Sequence, residues 1–140
     1  AGAVDHLLAA LDLDASSAVV EVGAGTGKLT RDLVDRVGTI VAVEPSEGMR
    51  RMLVRQVAVD VVAGTAEDLP VPDASFDAVL AAQTWHWVDG ERAAAEAHRV
   101  LRRGGLGLVW NRWDPDDRLM DELRAVVDAH RHGTPTYVTG

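Results

Sequence analysis

Two apolar patterns alternate along this chain. Short aliphatic, largely β-branched runs near 18–22, 39–44, 59–63, 76–82 and 105–110 have strand length. Between them apolar residues recur at helical spacing. Val4, Leu7, Leu8 and Leu11 mark an opening helix, Leu29, Leu33, Val34 and Val37 follow the first strand, and Ala93, Ala97, Val100 and Leu101 precede the last. Helices are therefore predicted near 27–37, 46–55, 90–101 and 116–130, with start signals at Ser46, Asp89 and Asp114-Pro115. Strand and helix in alternation predict a parallel sheet with right-handed crossovers and helices on both faces, a doubly wound α/β fold. The strand order should reverse between the first and fourth strands, opening a ligand crevice at their carboxyl ends.

The first strand, Ala18-Val-Val-Glu-Val22, breaks into glycines at 23, 25 and 27 before the next helix. Glycines there permit positive φ and let a ligand approach the backbone, and the helix start offers N–H groups to a polar molecule. Counting from Gly23, Lys28 occupies the third glycine position of a dinucleotide fingerprint, so that pattern fails. A phosphate loop fails too, because three residues separate Gly23 from Gly27 and Leu29 follows Lys28. What remains is acid-x-G-x-G-x-G at a strand–helix corner. The second strand closes on Glu44, across the crevice from this corner, where a carboxylate can accept hydrogen bonds from both hydroxyls of a ribose.

Composition narrows the classes. A chain of 140 residues with 47% hydrophobic residues can bury one domain's core, and the whole of 1–140 is expected to be a single domain. No apolar run approaches membrane-spanning length, and the N-terminus lacks the basic-then-apolar order of a signal peptide. No membrane association is expected. The absence of cysteine excludes disulfides, thiolate catalysis and thiolate metal ligation, and no histidine cluster has metal-ligand spacing, so no metal is expected. A formal charge of −8 argues against nucleic acid as a partner.

Five ordered segments resemble the class I S-adenosylmethionine-dependent methyltransferases. They are the glycine corner; Val-Ala-Val-Glu-Pro-Ser-Glu-Gly-Met (41–49); Ala-Gly-Thr-Ala-Glu-Asp-Leu-Pro-Val-Pro-Asp-Ala-Ser-Phe-Asp-Ala-Val (63–79), like the family's adenine loop; Arg-Val-Leu-Arg-Arg-Gly-Gly (99–105), like its turn before strand 5; and the pair Gln-Thr-Trp-His-Trp-Val-Asp (83–89) and Val-Trp-Asn-Arg-Trp-Asp (109–114). That last pair resembles a type 11 subgroup of small-molecule enzymes that includes trans-aconitate-methyltransferase-like proteins. The resemblance implies a three-layer Rossmann-like fold, S-adenosyl-L-methionine as methyl donor, S-adenosyl-L-homocysteine as product, a small-molecule acceptor and a cytoplasmic setting. It also implies seven strands ending in a hairpin. With about five candidate strands and then Tyr137-Val138-Thr139-Gly140, the sequence reads as truncated at both ends, either trimmed or minimal, with an unfinished sheet edge that favours a homodimer.

Within this resemblance each site residue has a role and an alternative. Glu21 is placed to orient the donor's methionine end, or to tie down the glycine loop's N–H groups; buried unpaired it would cost several kcal/mol, so a partner is expected. Gly23, Ala24, Gly25 and Gly27 supply a backbone floor. Pro45 and Met49 offer apolar surface to the adenosine, although Met49 equally suits plain helix packing. Thr65 stands where many relatives have an acid, and it joins Ala66 and Glu67 around the adenine. Gln83 serves the donor's amino-acid end. Asp77 sits at the far end of strand 4 and reads as structural. His86 has the near-neutral pKa of a general base, or packs between Trp85 and Trp87. Arg112, beside Asn111 and Trp113, either clamps a carboxylate acceptor or pairs with Asp114, Asp116 or Asp117. A carboxylate acceptor would need no base, only alignment. The reading from another function class is a non-catalytic cofactor-binding module that acts through a partner chain.

Overall fold

Five strands and four α-helices alternate along residues 2–110, the part of the chain that the computed structural model describes. In chain order they are α1 (Ala3–Ala10), β1 (Ala18–Val22), α2 (Lys28–Leu33), β2 (Thr39–Val43), α3 (Glu47–Gln56), β3 (Asp60–Val62), β4 (Phe76–Ala82), α4 (Gly90–Val100) and β5 (Leu101–Val109), with one 3-10 turn at Trp85–Trp87. The sheet order is β3-β2-β1-β4-β5, and every pairing is parallel. After β3 the chain returns to the other side of β1, so the order reverses between β1 and β4, as the alternation predicts.

Successive side chains of β1 enter opposite layers. Val20 and Val22 join Val43, Val79 and Ala81 under Ala93, Ala97 and Val100 of α4. Val19 joins Ile40, Ala78 and Leu80 under Leu7 and Leu8 of α1 and Leu29 and Leu33 of α2. On that second face Leu53 of α3 packs on Ala42 and Ala24. Covered on both sides, β1 and β4 carry near-continuous apolar runs rather than an alternation. Among the described residues no helix is long and apolar enough to cross a membrane.

Two boundaries differ from the sequence pattern. The helix expected over 27–37 ends at Leu33, although Val34 and Val37 still pack beneath the sheet. The turn expected at 99–105 is a bulge inside β5 instead. Phe76 pairs with Leu101 and Ala78 with Gly105, which leaves Arg102, Arg103 and Gly104 opposite Asp77 alone. The buried Asp77 carboxylate gathers this bulge. It accepts from Arg102 Nε at 2.8 Å and Nη2 at 2.5 Å, from Arg103 Nε at 3.0 Å, and from the Ala18 N–H at 2.8 Å. Gly104 has φ +76, and a Cβ there would run into the Asp77 carbonyl oxygen. The helix over 116–130, the segment Tyr137–Gly140, the terminal hairpin and residues Asn111, Arg112 and Trp113 lie outside the described residues.

Candidate functional site

The corner after β1 is built almost wholly from backbone. Gly23, Gly25 and Gly27 have φ of +66, +58 and +87, conformations that a side chain would strain. The N–H groups of Gly23 and Ala24 both donate to the Val43 carbonyl, at 2.8 and 3.2 Å, which ties the corner to the end of β2. Gly25 N–H donates to Glu44 Oε2 at 2.9 Å, and Gly27 N–H to the Ala24 carbonyl at 2.9 Å. A Cβ on Gly27 would collide with Leu53, whereas one on Gly25 would meet nothing within 4 Å. Gly27 is glycine for packing and Gly25 for the open space above it.

That space is a cavity of about 390 Å³ at the carboxyl ends of the strands. Gly23 and Gly25 contribute from the corner, Glu44, Pro45 and Met49 from the end of β2, and Gly64, Thr65, Ala66 and Glu67 from the loop after β3. Ala82, Gln83, Thr84, Trp87 and Val88 close it from β4 onward. Glu44 is 5% exposed, and besides Gly25 it accepts the Ser46 N–H at 2.8 Å through Oε1. Each carboxylate oxygen keeps a lone pair for a ligand hydroxyl. Ser46 caps α3, accepting from the Met49 N–H at 3.4 Å, and Arg50 donates to the carbonyls of Glu44 and Pro45. Across the cavity, Glu67 accepts the Asp89 N–H at 2.8 Å, and this bond holds its carboxyl below the ordinary range. Gln83, a non-glycine residue at φ +56, donates its N–H to the Val109 carbonyl at 2.9 Å.

Three cofactor-binding candidates from the sequence stand apart from the wall. Glu21 is 1% exposed, and its Oε2 accepts the Thr30 hydroxyl at 2.6 Å. Its side chain points to the same face as Val19, beneath α2, and burial pushes its carboxyl up to about 7 against the opposing pull of the Thr30 bond. The reading in which Glu21 ties down the loop's N–H groups is corrected. Glu44 does that, because it stands at the strand end beside the loop while Glu21 stands one residue inside its strand. Ala24 is buried on Leu53 and Ala42, and Gly27 opens α2.

After β4 the chain makes its 3-10 turn, which leaves His86 exposed with its ring centroid 4.9 Å from that of Trp87. Trp87 lines the cavity and His86 does not. Trp87, Thr84, Gly64, Ala82 and Val88 were not selected from the sequence, although Thr84, Trp87 and Val88 fall in the aromatic segment it singled out and Gly64 in the segment 63–79. Among the described residues no three His, Asp or Glu side chains gather as a metal site would require.

A family model described as a methyltransferase domain matches residues 20–109, which contain every residue of this cavity wall. An uncharacterized methyltransferase of Mycobacterium tuberculosis is 48% identical over 136 residues, covering 95% of this chain and 53% of that protein. An uncharacterized methyltransferase-like protein of Schizosaccharomyces pombe is 36% identical over 141 residues, covering 99% of this chain and 55% of its own length. The chain thus spans about half the length of these curated relatives. A solved structure from Anaeromyxobacter dehalogenans, assigned as a type II methyltransferase, superposes with a TM-score of 0.76 at 30% identity over 95% of this chain and 58% of that one. With its all-parallel sheet, glycine corner and strand-end cavity, the chain belongs to the methyltransferase domain family, in the class I S-adenosylmethionine-dependent group.

Proposed function

We propose that the cavity binds S-adenosyl-L-methionine and that the protein transfers the methyl group to a small-molecule acceptor, leaving S-adenosyl-L-homocysteine. The observation that carries this reading is the open floor over Gly25 beside the buried Glu44 carboxylate. The residues present fit such a donor. Glu44 retains acceptor capacity for ribose hydroxyls, Thr65, Ala66 and Glu67 flank an adenine-sized end, and Pro45, Met49, Trp87 and Val88 give apolar surface. The bound sulfonium supplies an electrophilic methyl carbon: the acceptor's lone pair forms the new bond to it, the carbon–sulfur bond breaks, and sulfur keeps that electron pair.

The chain's own work in this scheme is positioning and exclusion of water. Among the described residues the cavity wall carries two carboxylates and no Lys or Arg, which suits a cationic donor. A carboxylate acceptor, as the trans-aconitate-like resemblance implies, draws its clamp from Arg112 and needs no base. An acceptor with a proton to lose engages His86 from the exposed turn at the rim. The setting proposed is the cytoplasm. Calorimetric titration with S-adenosylhomocysteine and separately with NAD tests the donor; saturable binding of NAD alone refutes it. A turnover assay following S-adenosylhomocysteine formation across carboxylate, amine and phenol acceptors tests the transfer, and donor binding without turnover on any of them refutes that part.

A further inference from the structure

Thr84 links the segment after β4 to the glycine corner, 61 positions away in sequence. Its Oγ1 lies 3.0 Å from the Ala82 carbonyl oxygen and 3.3 Å from that of Gly23. One hydroxyl proton is shared between these two acceptors. The side chain also fills the space over Gly23, where an added Cβ would collide with Oγ1 and Cγ2 of Thr84. Gly23 therefore answers to two demands, its φ of +66 and the threonine packed against it. The peptide between Gly23 and Ala24 is gripped at both ends, its carbonyl by Thr84 and its N–H by the Val43 carbonyl. The next residue is Gly25, the open floor of the cavity.

We propose that Thr84 is a positioning residue: its hydroxyl sets the plane of the Gly23–Ala24 peptide and thereby the floor that receives the methyl donor. The inference rests on the donor-binding reading and extends it to a side chain with no charge and no part in the chemistry. The bond joins the two walls of the cavity, the corner of β1 and the segment that carries Gln83 and Trp87. Without it the carbonyl is free to tilt, and the corner samples arrangements that a ligand must then order.

The test separates hydroxyl from bulk. Thr84→Val keeps the shape and removes the donor; Thr84→Ser keeps the donor and removes the methyl. S-adenosylhomocysteine affinity is measured by calorimetry on the whole chain, and each unliganded variant is melted by circular dichroism. Thr84→Val is expected to weaken binding about tenfold, the loss of roughly one net hydrogen bond. Thr84→Ser is expected to stay within about threefold of the parent, and the unliganded melting curves of parent and both variants to lie close together. Unchanged affinity in Thr84→Val overturns the proposal, and so does equal weakening in both variants in step with lowered melting temperature, which would be packing alone. A parent protein that fails to bind S-adenosylhomocysteine overturns the donor reading itself, and this inference with it.

Discussion

Replacing Glu21 by Gln should make the protein more stable, and only above mid-acid pH. The folded protein holds this carboxyl near 7 because it is buried with Thr30 as its hydrogen-bond partner, against 4.5 for a free glutamate. Below 4.5 both folded and unfolded chains carry the proton, and burial exacts no ionic penalty. Between 4.5 and 7 the folded state binds more protons than the unfolded one, so stability falls as pH rises; above 7 the deficit is level. At ~1.4 kcal/mol per pH unit between the two values, that deficit is about 3 kcal/mol. Glutamine keeps the shape and an oxygen for Thr30 but has no charge to bury. At pH 8 the variant should gain up to about 3 kcal/mol, a urea midpoint higher by roughly 2 M at an ordinary slope. At pH 4.5 the two proteins should coincide. Asp77 and Glu96, held low by Arg102 and Arg99, act below this window and equally in both proteins. A gap that stays constant from pH 5 to 8.5, or a variant weaker than the parent at pH 8, would refute the reasoning.

The other substitutions probe the site and its frame. Glu44→Ala should weaken S-adenosylhomocysteine binding at least about tenfold by calorimetry, since it removes ribose acceptors and frees the Gly25 N–H, while Glu47→Ala, an exposed partner of Arg51, should change almost nothing; equal small effects would count against the ribose role. Gly25→Val should abolish that binding while circular dichroism shows the fold retained, because its side chain enters open space at a strain of about 1–2 kcal/mol. Asp77→Asn should destabilise by about 2 kcal/mol at pH 7 in urea titrations. Because its pairing with the arginines lowers the Asp77 pKa, the parent should lose this advantage as pH falls below 4, and the two curves should converge there.

The parallel layers were readable because β1 and β4 are buried on both faces and so announce themselves as near-continuous apolar runs. The start of β5 was not, since Arg102-Arg103-Gly104-Gly105 has the composition of a turn, and only the Asp77 carboxylate, 25 and 26 positions earlier, makes a bulge of it. Much the same divides the site. Gly25, Glu44, Pro45 and Thr65 follow directly from strand ends, which local pattern locates. Glu21 was legible as a buried acid in need of a partner, but that partner, Thr30, is chosen by how α2 lies over β1. Trp87 in place of His86 at the wall depends on the phase of a three-residue 3-10 turn, too short to leave any periodicity.

The cavity also lies on the seam between β1 and β4, and that has a consequence for assembly. β2 and β3 join β1 after short crossovers, and β5 joins β4 directly through α4. The stitches across the seam are long: Ala18 to Asp77 spans 59 positions and Gly23 to Thr84 spans 61. Two locally wound halves thus meet through one large loop closure, the most entropically demanding step on the described chain. Neither half owns the pocket. Competence to hold a ligand arises only when the halves dock, and on denaturation it should vanish as the seam parts.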